Sequence, residues 1–314
     1  MKLPLQSTAF LFPGQGSQAV GMGKQLAEKY PAAAETFDEA NSILGFPLSD
    51  LMWNGAADEL NETVNTQPAL YVHSIAAWRI FTSLYPDAWP STVAGHSLGE
   101  LSALTASGAL SFSDGVRLVR KRGELMKQAG ELNPGGMAAI LNLDLSVLEQ
   151  VCAEASTGGE VVQVANDNCP WQVVISGHKP ALERAMASAK SAGAKRAVPL
   201  AVSIAAHSPL MDSIQAEWNA AVEACSIGTP LIPVVGNVNA SSLTTDTDLR
   251  ADIQAQMQSR VRWTESVQHM LANGIDTFVE AGNGEVLLGL IKRIEPSTNR
   301  FPLGTPQDFM ALEL

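Results

Sequence analysis

The chain has 314 residues, of which 46% are hydrophobic and 17% charged, and its formal net charge is −12. That length suits one large domain with a smaller one inserted or appended, built around a sizeable core. The acidic balance argues against non-specific nucleic-acid binding, and no apolar run reaches the ~18 residues of a membrane span.

Strand-like and helix-like segments alternate, which predicts α/β architecture. Residues 9–12 read as a first buried strand running into Gly14-Gln15-Gly16-Ser17-Gln18, without the apolar core and cleavage site of a secretion signal. A helix is expected over 67–84, a short strand over 92–95, a helix at once from Leu98, and another over 113–128 with Ser113 and Asp114 as start signals. From 135 to 202 the rhythm changes. Strand 137–143, helix 145–156, strands 161–165 and 172–176 around a turn holding Asn166, Asp167, Asn168 and Pro170, helix 180–192 and strand 196–202 follow in turn. This β-α-β-β-α-β order is ferredoxin-like and sits mid-chain, as an insertion would. A helix near 209–224, strands near 233–238 and 275–280, a helix over 286–294 and a Pro-containing tail complete the chain.

Residues 95–99 read Gly-His-Ser-Leu-Gly, a GxSxG nucleophile elbow with a strand before it and a helix after it. A sharp strand-to-helix turn exposes the Ser97 hydroxyl, the glycines admit close backbone approach, and the helix N-terminus aims N–H groups at an oxyanion. The motif does not choose between esterase, lipase and acyltransferase. Of five histidines, His96 adjoins the nucleophile and points away, His73 lies in a helix, and His178 and His269 sit at surface or helix-end positions. His207 lies between a strand and a helix starting at Pro209, where a catalytic base can sit. An α/β-hydrolase triad usually places its histidine near the C-terminus, and none follows His269.

The helix 113–128 carries an inconsistency. At the helical period Val116, Leu118, Val119, Leu125 and Met126 share one face, and Arg117, Arg120, Lys121, Glu124 and Lys127 the opposite one. Arg122 falls within the apolar face. A buried guanidinium needs an anionic partner, either a structural carboxylate or the carboxylate of a substrate.

Five ordered stretches resemble the malonyl-CoA:acyl-carrier-protein transacylases. They are Phe12-Pro13-Gly14-Gln15-Gly16-Ser17-Gln18, Thr66-Gln67-Pro68-Ala69, Gly95-His96-Ser97-Leu98-Gly99-Glu100, Arg120-Lys121-Arg122-Gly123-Glu124-Leu125-Met126 and Ala206-His207-Ser208-Pro209-Leu210-Met211. Val261-Arg262-Trp263 and Glu280-Ala281-Gly282 continue the match over nearly the whole chain. The resemblance implies an α/β-hydrolase-like core over 1–132 and 203–314 with a ferredoxin-like subdomain over 133–202. It implies acylation of Ser97, His207 as base and then acid, and a main-chain carbonyl at Gln256 holding that histidine, with Gln254 and Gln258 as neighbouring alternatives. The N–H groups of Gln15 and Leu98 would form the oxyanion hole, and Arg122 would clamp a malonyl carboxylate. Two positions depart from common forms. Ala206 stands where many members carry Phe or Ser, and Asn283 where Pro is frequent.

The expected partners are malonyl-CoA and acyl-carrier protein, with no cofactor or metal beyond the CoA thioester and the carrier's phosphopantetheine. Lys195, Arg196, Lys292 and Arg293 are candidates for docking that acidic carrier. Cys152, Cys169 and Cys225 are scattered, odd in number and outside any CxxC pattern, so a reducing cytoplasm is the simplest compartment, with a monomer as default. The alternatives are a free-standing acyltransferase serving a polyketide synthase or malonate decarboxylase, a serine ester or thioester hydrolase, and a non-catalytic scaffold. The glycines around Gln15 fit neither the P-loop nor the dinucleotide fingerprint.

Overall fold

The computed structural model describes residues 3–312 and contains two sheets. Its strands are β1 (Thr8–Phe12), β2 (Thr92–Gly95), β3 (Gly135–Leu141), β4 (Val162–Cys169), β5 (Gln172–His178), β6 (Arg196–Pro199), β7 (Val234–Val235), β8 (Ser242–Leu243), β9 (Thr277–Ala281) and β10 (Asn299–Leu303). The first sheet runs β10-β9-β1-β2-β7-β8, parallel except for β8. The second is antiparallel, in the order β4-β5-β3-β6.

Every residue of β1 is buried, as expected of a central parallel strand covered on both faces. Phe10 and Phe12 enter the larger core, while Ala9 and Leu11 enter a second core on the opposite face with Trp263, Val267 and Phe278. Phe10 packs on Trp78 and Phe81 of the helix Thr63–Leu84, with ring centroids 5.3 and 4.7 Å apart. That helix begins before the expected position 67 and carries Pro68 inside it. Pro68 has no N–H for the Val64 carbonyl four residues earlier. Arg120 Nη1 supplies the missing donor at 3.0 Å, joining this helix to Phe112–Leu132.

Helix Phe112–Leu132 is capped by Ser111, whose hydroxyl accepts the Asp114 N–H at 3.0 Å, not by Ser113 as the sequence suggested. The segment 166–168, expected as a turn, is the second half of β4. Asp167 N–H donates to the Val261 carbonyl at 2.9 Å and Val261 N–H to the Ala165 carbonyl at 2.8 Å, so pairing with a distant segment overrides the local turn preference. The strand expected over 196–202 stops at Pro199, and the one over 233–238 shrinks to β7. The expected tail contains β10 and the helix Pro306–Ala311, the latter opened by a capping box of Thr305 and Asp308. Pro302 is tolerated because β10 is an edge strand. No helix among the described residues is long and apolar enough to cross a membrane.

Glu280, on β9, is wholly buried, and its Oε2 accepts the Leu288 N–H at 3.0 Å at the start of the helix Val286–Ile294. Burial pushes its carboxyl up to about 7, against which the helix N–H groups pull only partly. An acid raised in the folded state contributes stability below its unfolded value and loses it as pH climbs through the folded one. The fold therefore weakens between pH 4.5 and about 7, by up to about 3 kcal/mol from this group. Glu280→Gln, which keeps an acceptor for Leu288, is expected to shrink the Tm difference between acidic and alkaline buffer. An unchanged difference in thermal melts would assign the effect elsewhere.

Candidate active site

The parallel strands bring their carboxyl ends to one edge of the sheet, where ligands bind in open α/β folds. Gln15 follows β1, Ser97 follows β2 and Asn237 follows β7. The elbow is tight for a steric reason. A Cβ on Gly95 would stand 1.9 Å from the Gly99 carbonyl carbon, and one on Gly99 would stand 2.0 Å from the Phe12 carbonyl oxygen. Ser97 itself has φ +52°, a left-handed conformation that costs a non-glycine residue about 1–2 kcal/mol. Asn237 holds it there: its Oδ1 accepts the Ser97 N–H at 2.7 Å and its Nδ2 donates to the Gly95 carbonyl at 2.7 Å.

His207 comes from the segment between β6 and the 3₁₀ helix Pro209–Ile214, and also has a positive φ, +57°. Its Nδ1 lies 2.9 Å from the Gln256 carbonyl and 3.1 Å from that of Ser259. Carbonyls only accept, so Nδ1 carries the proton and Nε2 offers its lone pair. Nε2 lies 2.8 Å from Ser97 Oγ. Burial, and then the Arg122 charge, lower the imidazole to about 3 against the pull of the two carbonyls, so it is neutral and able to take a proton.

Arg122 reaches the same hydroxyl from the apolar face of its helix. Its Nη2 donates to Ser97 Oγ at 3.1 Å and to Gln256 Oε1 at 2.9 Å, and its Nη1 to Gln67 Oε1 at 3.0 Å and Met126 Sδ at 3.4 Å. Every one of these partners is neutral. The guanidinium is 1% exposed, and its Nε has no acceptor among the described residues. Burial lowers it to about 10, which still leaves it a cation at neutral pH. Ser97 Oγ therefore accepts from Arg122 and donates to His207. The backbone N–H groups of Gln15 and Leu98 donate to no other described residue.

The family described as "Acyl transferase domain" matches residues 9–294. The malonyl CoA-acyl carrier protein transacylase of Bacillus subtilis is 45% identical over 303 residues, which is 96% of this chain and 95% of that protein. An acyl carrier protein S-malonyltransferase from Vibrio cholerae superposes with a TM-score of 0.94 at 42% identity, covering 98% of this chain and 99% of that one. A malonyl-transacylase solved in complex with a type II PKS acyl-carrier protein gives 0.93 at 40% identity, covering 98% of each. The chain belongs to the malonyl CoA-acyl carrier protein transacylases.

Within this transacylase, the four histidines set aside on sequence take ordinary places. His73 is buried with Nε2 3.1 Å from the Gly304 carbonyl, and His96 bonds Asn168 Oδ1 at 2.8 Å while its ring meets Trp263 edge-on. His178 Nδ1 accepts the Val161 N–H, and His269 Nε2 pairs with the Ser242 hydroxyl. Gln256, rather than Gln254 or Gln258, contributes the nearest carbonyl, while Gln254 reaches Glu223 and Gln258 reaches Asp212. Sequence reasoning missed the roles of Gln67, Gln256 Oε1 and Asn237. Gln67 lay inside a quoted motif without an assignment. A polar residue just past a parallel strand was the available signal for Asn237.

Asn237→Ala strips the Ser97 N–H and the Gly95 carbonyl of their partners, at about 1–3 kcal/mol for each buried group left unpaired. The variant is expected to unfold at lower denaturant and to acylate slowly. A midpoint and acylation rate like those of the parent would show that the elbow holds itself.

Proposed function

We propose that the protein transfers the malonyl group of malonyl-CoA to the phosphopantetheine thiol of acyl-carrier protein, for fatty-acid synthesis, through a malonyl ester on Ser97. One observation carries this reading: a buried arginine that hydrogen-bonds no carboxylate among the described residues, and whose Nε finds no acceptor among them, lies 3.1 Å from the hydroxyl that a neutral histidine is placed to deprotonate. A plain esterase has no use for that arginine, whereas an acyl group with a free carboxylate does.

In this reading His207 Nε2 takes the Ser97 proton as Oγ attacks the thioester carbonyl. The Gln256 carbonyl holds the imidazolium that forms. The oxyanion rests on the N–H groups of Gln15 and Leu98. His207 returns the proton to the departing CoA sulfur. In the second half, it takes the proton of the carrier's thiol, the thiolate attacks the ester, and His207 returns that proton to the departing Ser97 Oγ. Arg122 binds the malonyl carboxylate throughout. The chemistry needs no metal or redox cofactor.

The finer architecture fits this reading too. The six-stranded sheet, with its nucleophile elbow after a parallel strand, supports an α/β-hydrolase-like core over 1–132 and 203–314. The β-α-β-β-α-β run of the second sheet supports a ferredoxin-like subdomain over 133–202. Lys195, Arg196, Lys292 and Arg293 are exposed, and Arg293 bonds Gln172 at the end of the small sheet that Arg196 borders, which supports a carrier dock there. The three free cysteines, Cys152, Cys169 and Cys225, suit a reducing cytoplasm. A second reading differs only in the carrier. The neighbour bound to a type II PKS acyl-carrier protein favours it.

Intact-protein mass spectrometry after mixing with malonyl-CoA tests the proposal. A malonyl adduct is expected, absent in Ser97→Ala and weak with acetyl-CoA. Steady CoA release without an adduct would favour a hydrolase, and neither adduct nor CoA a scaffold.

A further inference from the structure

Behind the nucleophile lie two buried carboxyls that the reaction above leaves unused. Glu100, in the first turn of the helix Gly99–Ala106, is fully buried, and Asp252, in the helix Asp246–Ala255, is 4% exposed. They converge on the loop after β7. Asn237 N–H donates to Glu100 Oε1 at 3.1 Å, and Val238 N–H to Asp252 Oδ1 at 3.3 Å. Consecutive backbone N–H groups thus hold the two carboxyls side by side. Two buried carboxyls on adjacent amides, with no cation among the described residues bonded to either, repel each other when both are ionised, so one of them carries a proton. Asp252 Oδ2 has no hydrogen-bond partner among the described residues. Burial and the neighbouring carboxyl hold Glu100 well above the ordinary carboxyl range, and burial raises Asp252 as well.

A single side chain joins this pair to the arginine. Arg122 Nη2 only donates and the Ser97 carbonyl only accepts, which fixes the orientation of the Gln256 amide. Its Oε1 faces Arg122 at 2.9 Å, and its Nε2 faces the Ser97 carbonyl at 3.0 Å and Glu100 Oε2. Among the described residues, the charged groups facing the pair are few. The helix Phe112–Leu132 contributes Arg122, the loop after β7 contributes backbone N–H groups and the neutral Asn237, and the neutral His207 stands beyond Gln256. The empty site thus holds one guanidinium and one negative charge shared by the pair. A carboxylate arriving on Arg122 adds a second negative charge where water is scarce.

We propose that Glu100 and Asp252 are a proton-sharing pair of positioning residues that balances the charge of Arg122, and that docking of an acidic acyl group on Arg122 draws a proton from solvent onto the pair. The proposal rests on reading Arg122 as the carboxylate clamp. Gln256 transmits the change, because its amide touches the guanidinium on one side and Glu100 on the other.

The test is isothermal titration of malonyl-CoA into Ser97→Ala, in two buffers of different ionisation enthalpy near neutral pH, with acetyl-CoA as the blank for the CoA phosphates. The expected result is uptake approaching about one proton per site with malonyl-CoA beyond that blank. Adding Glu100→Gln and Asp252→Asn together, which keeps acceptors for Asn237 and Val238, is expected to abolish the uptake while binding persists. If that double variant does not fold, Glu100→Gln alone, which removes the carboxyl that Gln256 touches, is expected to reduce the uptake. Binding without uptake, or uptake unchanged in both pair variants, overturns the proposal and leaves the clamp intact. Failure of Ser97→Ala to bind malonyl-CoA at all overturns the clamp reading, and this proposal with it.

Discussion

His207→Ala is expected to slow Ser97 acylation by about 10²–10⁴-fold, the usual contribution of a positioned general base. The loss falls on kcat rather than KM, because the imidazole touches the hydroxyl and not the acyl carboxylate. The parent enzyme should also show an unusual pH profile. A base must be neutral to act, and burial with the nearby guanidinium lowers this one to about 3. The kcat/KM for malonyl-CoA is therefore expected to lack the falling limb near pH 6.5 that an ordinary imidazole gives. Stopped-flow acylation across that range checks it. A limb at the ordinary histidine value would mean that His207 is far more solvated in the working enzyme than its 3% exposure indicates.

Arg122→Ala is expected to cost malonyl transfer on the order of 10²-fold or more, since truncating one partner of a buried charge pair costs about 2–5 kcal/mol. Acetyl transfer should fall far less, or rise, because a substrate without a carboxylate no longer meets an uncompensated guanidinium. The readout is the ratio of malonyl to acetyl kcat/KM, and an unchanged ratio would sink the clamp. Arg122→Lys is not expected to restore it. Lysine cannot reproduce the fork that now reaches Gln67, Ser97 and Gln256 together. Removing the guanidinium also frees Gln67 Oε1 and Gln256 Oε1, so a thermal melt should accompany the kinetics.

Features set by local chemistry are legible in the order of residues alone. Gly95, Ser97 and Gly99 announce the elbow because their spacing is itself the steric requirement. Arg122 declares itself because helical period alone sets which face a residue occupies, and a cation on an apolar face is a local contradiction. The strand and helix order of the chain follows from the same periodicities. The tertiary structure decided whatever depends on segments meeting. Asn166 to Asn168 look like a turn, yet pairing of β4 with the Val261 segment draws them into a strand. Asn237 braces a serine 140 residues away, and Gln256 joins the base, the arginine and the elbow from 49, 134 and 159 residues away. Glu100 and Asp252 share a proton only because folding removes both from water and places them side by side. Polar groups like these carry no periodic signal, and their partners are chosen by burial, which makes an unmatched donor or acceptor costly and exists only once the chain has closed around them.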